Sequence, residues 1–398
     1  MEKKTPASMG QENKANVLHL IKEAGPISRA AVARTLDMSR STISAIVDQL
    51  IKEGRVREGA TGESTSVGGR RPVHLHYISS AKYAIGVDIG GSKTIVLITD
   101  LDGNVILRRK FLSQVRDVAT ITHILREVED CLLQSGVERD SVIGTAIGFP
   151  GVTSADEGIV VQVPGLNLTN FNARQFFGDL PGPILIDNDV NMGVIGERWK
   201  GAAQGRDNVV LIALGTGIGA GMILNGKLYR GAGGYAGEIG HLHVDPATTS
   251  PKLDLGDYGP LEQMASGKGM EDFALANLGN YPDTSLTAEN ITTADIFERA
   301  GAGDMLAAHV VNQALSYLSF SIANIVTLLN PDVVILGGGV SRVGRPLLNM
   351  VRARVTRLSP VSCEIVLAGL GEDAAAFGSA ASVLLQAGEL RLTGFTTA

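Results

Sequence analysis

Asp88 ends the apolar run Ala84-Ile85-Gly86-Val87 and is followed at once by Ile89-Gly90-Gly91-Ser92-Lys93-Thr94. A strand that runs into a glycine turn brings backbone N–H groups, small hydroxyls and here an ammonium to one point, which suits a phosphate. A carboxylate at such a strand end suits Mg2+ held through water. The pattern recurs after Val209–Leu214 as Gly215-Thr216-Gly217-Ile218-Gly219-Ala220-Gly221, and a third cluster, Gly337-Gly338-Gly339-Val340, follows Val333–Leu336. One glycine turn says little, because many hairpins have one. Two alike predict a duplicated fold that closes over a nucleotide from two sides. None ends in Gly-Lys-Ser/Thr, which excludes a mononucleotide P-loop. Between the first two lies Ile184-Leu185-Ile186-Asp187-Asn188-Asp189-Val190-Asn191. Asp189 at this strand end is placed to take a proton from a sugar hydroxyl during phosphoryl transfer. The same residues also read as an Asx-rich turn capping a helix that runs on to Trp199.

These turns need strands to present them, and from Tyr83 onwards short apolar runs alternate with glycine turns and longer helical patterns. That predicts an α/β body. The 398 residues exceed one ordinary core, and the pattern before residue 80 differs. Helical periodicity from about Asn13, through Val17, Leu18, Ile21 and Ala24, stops at Gly25-Pro26. Ser28 caps a second helix holding Val32, Ala33 and Leu36. After a turn at Asp37-Met38, Ser39 caps a third, with Ile43, Ile46, Val47, Leu50 and Ile51 on one face.

This spacing matches a helix-turn-helix, in which the start of the last helix meets base edges. Ser39, Arg40, Ser41, Thr42 and Ser44 supply donors for bases and phosphates. Arg55–Glu58 and Val73–Tyr77 read as the strands of a wing, with Arg70 and Arg71 at its base. A small helical protein–protein module is the alternative reading. His74 and His76 alternate on the return strand with no third ligand near, which fits wing surface better than a metal site.

Charge agrees with a DNA-binding head. Residues 1–82 hold 13 Lys and Arg against 8 Asp and Glu, whereas the remainder holds 22 against 33. A basic head on an acidic body suggests that only the head meets a polyanion, with chance surface charge as the alternative reading. No run is apolar for the length of a membrane span, and Met1–Lys14 lacks an apolar signal core. Cys131 and Cys363 stand far apart among apolar neighbours, as reduced core thiols do. The expectation is a cytoplasmic protein with no membrane partner.

Taken together, the chain resembles the ROK family, whose name joins repressors, open reading frames and kinases. The resemblance runs from Asn13 to about Leu385 and rests on five ordered motifs: Asp88-Ile-Gly-Gly-Ser-Lys-Thr94, Gly148-Phe-Pro-Gly151, Asn188-Asp189, Gly215-Thr-Gly-Ile-Gly219 and Gly237-Glu238-Ile-Gly-His241. It implies a winged helix-turn-helix over residues 1–80 and an actin/hexokinase-like (ribonuclease H-like) α/β domain over 81–398. Its two lobes would span 81–190, with a C-terminal return, and 191–370. It implies phosphate or nucleotide contacts at Asp88, Gly90, Gly91, Ser92, Lys93, Thr94, Gly215, Thr216 and Gly217, with adenosine near Gly338 and Gly339. Sugar contacts are implied at Gly151, Asn188, Asp189, Glu238, His241 and Glu262, with Asp189 as the base. A homodimer or homotetramer is implied, which suits a palindromic operator.

Two motifs depart from the family pattern. Family members usually carry zinc on the histidine of the Gly-His pair and on three cysteines just before a Leu-Glu. Here the run reads Leu253-Asp254-Leu255-Gly256-Asp257-Tyr258-Gly259-Pro260-Leu261-Glu262, without a cysteine. His241 alone cannot hold zinc, which prefers four ligands, so no structural zinc is expected. The family's Asn-Leu-Pro-Gly-Trp loop reads Gln162-Val163-Pro164-Gly165-Leu166 here, which changes the sugar-side contacts.

Two functions fit. One is a sugar-responsive DNA-binding regulator, a repressor of carbohydrate metabolism, with operator DNA and a sugar or sugar phosphate as partners. The other is an ATP- and Mg2+-dependent sugar kinase, for a hexose or N-acetylhexosamine, that retains a DNA-binding head. A pure scaffold would leave the ligand cleft without a purpose.

Overall fold

A computed structural model describes residues 6–61, 73–113, 117–163, 169–244 and 257–395. The head is built from α1 (Pro6–Ala24), β1 (Ile27–Ser28), α2 (Arg29–Thr35), α3 (Arg40–Lys52), β2 (Val56–Thr61) and β3 (Val73–Tyr77). The predicted caps form: Ser28 Oγ accepts the Ala31 N–H at 3.2 Å and Ser39 Oγ accepts that of Thr42 at 3.1 Å. The connecting turn puts Asp37 at φ 50°, a left-handed conformation that Asp tolerates. Helix α1 starts earlier than predicted because its first turns are polar and carry no apolar period. The pairing of β1 with β3, which makes a three-stranded sheet, has no signal in two residues. Val17, Ile21, Val32, Ile43, Val47, Leu50, Val56 and Leu75 form the head's core.

The body opens with β4 (Tyr83–Ile89), β5 (Lys93–Asp100), β6 (Val105–Leu112), α4 (Val118–Ser135) and β7 (Val142–Phe149). A small sheet of β8 (Val152–Ser154), β9 (Ile159–Gln162) and β10 (Thr169–Asn172) follows, then α5 (Ala173–Phe176), β11 (Ile184–Asn188) and α6 (Asp189–Lys200). The second half comprises β12 (Val209–Leu214), β13 (Ile218–Leu224), β14 (Lys227–Leu228), α7 (Pro260–Ala265), α8 (Gly267–Asn277), α9 (Thr293–Gly301) and α10 (Met305–Leu329). It closes with β15 (Val333–Gly337), α11 (Arg345–Leu358), β16 (Glu364–Leu367) and α12 (Ala374–Gln386).

The predicted duplication is visible in the sheets. One has the order β6-β5-β4-β7-β11 and the other β14-β13-β12-β15-β16. In each, the first three strands are antiparallel and the last two join parallel to the first. Parallel strands covered on both faces need apolar runs, and β4, β7, β12 and β15 supply them. Helix α12 returns to the first sheet, where Ser379 Oγ donates to the Val87 carbonyl at 3.2 Å. It also packs closely on α6; a Cβ on Gly378 would collide with the Met192 carbonyl. Among the described residues no helix is long and apolar enough to cross a membrane.

Candidate functional site

The turn after β4 is tight. Gly90 N–H donates to the Lys93 carbonyl at 2.9 Å, leaving Gly91 and Ser92 exposed. Lys93 is already engaged, donating to Glu372 at 2.7 Å. Thr94 lies beneath the loop rather than on it: it is fully buried and shares a 2.6 Å hydrogen bond with Ser113. Its place among the phosphate ligands is therefore not supported, because β5 alternation turns it into the lobe.

Glu372 accepts from Lys93, Lys110, Arg108 and Arg342, and its carboxyl is held down to about 2, first by the Lys93 bond. Neither this cluster nor its role was legible beforehand, since its members lie up to 279 positions apart.

The second turn is held from below. Gly215 N–H donates to the Gly217 carbonyl at 2.9 Å, and Thr216 is exposed at the tip. Glu262, expected at the sugar, uses both oxygens on backbone: Oε1 accepts the Ile218 N–H at 2.8 Å and Oε2 the Gly259 N–H at 3.1 Å. A Cβ on Gly217 would meet that carboxylate and displace it from these bonds. Gly339 and Arg342 line a cavity of about 780 Å3 with Thr293, Phe297, Val311 and Met350. Its walls are mainly apolar, as a nucleoside base requires.

Between the turns, the helix-capping reading of Asn188-Asp189 holds. Asn188 caps α6, its Oδ1 accepting from Val190 and Asn191 at 2.8 and 3.0 Å, while its Nδ2 donates to the Gly151 carbonyl at 2.9 Å. Asp189 follows as the first residue of the helix, with Gly148 against its Cα. Burial raises its pKa well above the ordinary carboxylate range. The charges of Asp88 and Glu238 add to this, opposed by the Val190 N–H. Burial likewise lifts Asp88 to about 7, with Lys93 opposing and Asp373 and Glu372 adding. Glu238 is raised by burial and by Glu262, against the pull of His241. Asp88, Asp189, Glu238, His241 and Glu262, scattered over 175 positions, thus share one electrostatic neighbourhood.

Asp187, given no role from sequence, is 2% exposed and is pinned by Arg230 through Nε at 3.0 Å and Nη2 at 2.6 Å. This pair ties the end of β11 to the loop leading into Gly237-Glu238. A buried carboxylate beside Asn-Asp was the available signal; its partner 43 positions on was not.

In the head, Arg40, Ser41 and Thr42 are exposed along the first turn of α3, and Ser44 is half-buried. The Ser39 hydroxyl is shared with those of Ser41 and Thr42, each at 2.8 Å, so it serves the helix first. Arg70 and Arg71 lie outside the described residues, as do Pro164–Leu166 and Leu253–Gly256. Among the described residues no group of three His, Cys, Asp or Glu side chains could hold a metal.

The chain is similar in sequence and fold to known proteins. The chain is 30% identical over 380 residues to the xylose repressor of Bacillus subtilis, covering 93% of this chain and 95% of that protein. A ROK family transcriptional regulator, a homologue of the E. coli Mlc protein, has a solved structure that matches with a TM-score of 0.79 and 28% identity, covering 96% and 97% of the two chains. A ROK family glucokinase from Streptomyces griseus, solved with glucose and AMPPNP, matches with a TM-score of 0.65 and 28% identity, covering 75% of this chain and 98% of that one. Residues 11–57 match the winged helix-turn-helix DNA-binding family. With residues 84–386 matching its body, the chain belongs to the ROK family.

Proposed function

We propose that the protein is a sugar-responsive transcription repressor of carbohydrate metabolism. The observation that carries this reading is a capped recognition helix, exposed at Arg40, Ser41 and Thr42, in one chain with Asp189, which opens α6 at the end of β11 within electrostatic reach of Asp88 and Glu238. Carboxylates grouped in this way discriminate between sugars, because a wrong epimer leaves buried polar groups unpaired. Sugar bound between the lobes draws them together. In a homodimer or homotetramer acting in the cytoplasm, that movement changes the spacing of two heads on an operator. Asn188, Asp189, Glu238 and His241 are the proposed sugar contacts, with Gly151 setting the position of Asn188.

The test selects operator sequences from a random duplex pool with the full-length protein. Affinity is then measured with D-xylose, D-glucose and N-acetylglucosamine. A sugar that raises the melting temperature and weakens operator binding supports the proposal. Protein that selects no sequence overturns it.

A second reading, ATP-dependent phosphorylation of that sugar, is favoured by one feature. Asp189 stands at the end of β11 as the first residue of α6, where a carboxylate can accept a hydroxyl proton as the oxygen attacks phosphorus, and burial raises its basicity above that of an ordinary carboxylate. The residues fit a nucleotide: the apolar cavity at Gly339 for the base, and Gly90, Gly91, Ser92, Gly215, Thr216 and Gly217 for phosphates. Asp88 would hold Mg2+, which would neutralise charge developing on the phosphates. Asp189→Asn would abolish ATP-dependent phosphorylation of D-glucose while leaving sugar binding in place. Equal turnover in the variant would remove Asp189 from the role of base.

A further inference from the structure

Arg55 and Glu389 are 334 positions apart and form a two-pronged ion pair, one arm at 2.8 Å, across the seam between head and body. Both side chains are largely buried, at 11% and 15% exposure. Arg55 is therefore too enclosed to reach a DNA phosphate, and its charge has no other evident use.

What matters is where the two residues stand. Arg55 follows the recognition helix directly: its N–H donates to the Leu50 carbonyl at 2.9 Å, inside the last turn of α3. Glu389 follows α12 in the same manner, its N–H donating to the Leu384 carbonyl at 2.8 Å. The pair thus joins the C-terminal ends of two helices, with no slack on either side. Secondary tethers lie beside it. Lys22 pairs with Asp102 at 2.7 Å, Arg391 donates to Asn16 at 3.0 Å, and Tyr77 packs against both the head's core and the body's.

The other end of α12 lies beside the first glycine turn. Glu372 and Asp373 precede it and bind Lys93 of the first phosphate turn and Arg108 of β6; Glu372 also binds Arg342 from the second lobe. Along its length α12 is packed on α6, which begins at Asp189, through the contact of Gly378 with the Met192 backbone and a 3.3 Å contact of Ser382 Oγ with Met192 Sδ. Interfaces packed this closely shift as units rather than deform.

We propose that Arg55 and Glu389 are the positioning pair that fixes the recognition helix to α12, so that lobe movement is passed to DNA through this contact. The inference rests on the proposed sugar-responsive function. It adds the route: Asp189, α6, α12, Glu389, Arg55, α3. A head that swivelled on residues 78–82 would lose the signal, since a ligand shifts an equilibrium only through a difference it makes between two states.

The experiment uses the full chain in three forms: unmodified, Glu389→Gln, and the exchange Arg55→Glu with Glu389→Arg. Two measurements are made. The first needs no sugar: hydrogen exchange over residues 40–56. Exchange accelerated in Glu389→Gln and restored by the exchange variant supports registration of the head. Unchanged exchange in Glu389→Gln overturns it, whatever the outcome of the sugar screen. The second is the ratio of operator Kd with and without whichever of D-xylose, D-glucose or N-acetylglucosamine binds. In Glu389→Gln this ratio should collapse to within about twofold of one, with sugar Kd unchanged, and return in the exchange variant. A ratio kept at the unmodified value in Glu389→Gln overturns the route. If no sugar affects operator binding in the unmodified protein, the proposed function fails while the exchange measurement still decides the pair.

Discussion

Glu262 Oε1 accepts the backbone N–H of Ile218 at 2.8 Å, tying the start of α7 to the exit of the second glycine turn. The other oxygen caps the same helix through Gly259. The residue therefore shapes the phosphate turn, and any contact it makes with sugar uses its remaining lone pairs. Glu262→Ala leaves two backbone donors without acceptors and should cost roughly 1–3 kcal/mol of stability. Chemical denaturation measures this. Calorimetry should show binding of AMPPNP weakened more than binding of sugar.

The raised carboxyls give a pH dependence of definite sign. Asp88 titrates near 7 in the fold, against about 4 in the unfolded chain. Between those values the folded state holds the extra proton, so stability falls as pH rises from about 4 to about 7. Asp88→Asn should remove that part of the slope and be more stable at pH 8, by on the order of 1–3 kcal/mol. Thermal melts from pH 4 to pH 8 decide it. A variant that parallels the unmodified protein across this range contradicts the assignment.

On DNA, the exposed first turn of α3 and the wing should divide the work. Arg40→Ala should relax base discrimination at one or two operator positions by about 1–3 kcal/mol. Arg70→Ala with Arg71→Ala should weaken binding to all sequences alike and flatten the salt dependence. Binding measured against an operator series at several salt concentrations separates the two.

The zinc frame without its cysteines should be metal-free. Purified protein dialysed against chelator should contain far less than one zinc per chain by elemental analysis. Stoichiometric zinc would mean that Asp254 or Asp257 joins His241 as a ligand.

Much of the head was determined by the sequence alone. Its helices are amphipathic, its caps are serines within three residues of the N–H groups they satisfy, and its turn falls on Asp37, all local interactions that a short window contains. The glycine turns and the strand ending at Asp187-Asn188-Asp189 were legible for the same reason.

Tertiary structure alone decided which of these residues meet and which are consumed by the fold. Thr94 is buried under its own loop, Asn188 is divided between a helix cap and Gly151, and Glu262 braces a turn. The ion pairs that join distant elements, Asp187 with Arg230, Lys93 with Glu372 and Arg55 with Glu389, leave no trace in spacing. A charged side chain reads as solvated surface until a partner from another element comes within reach, and only the closed chain brings one there.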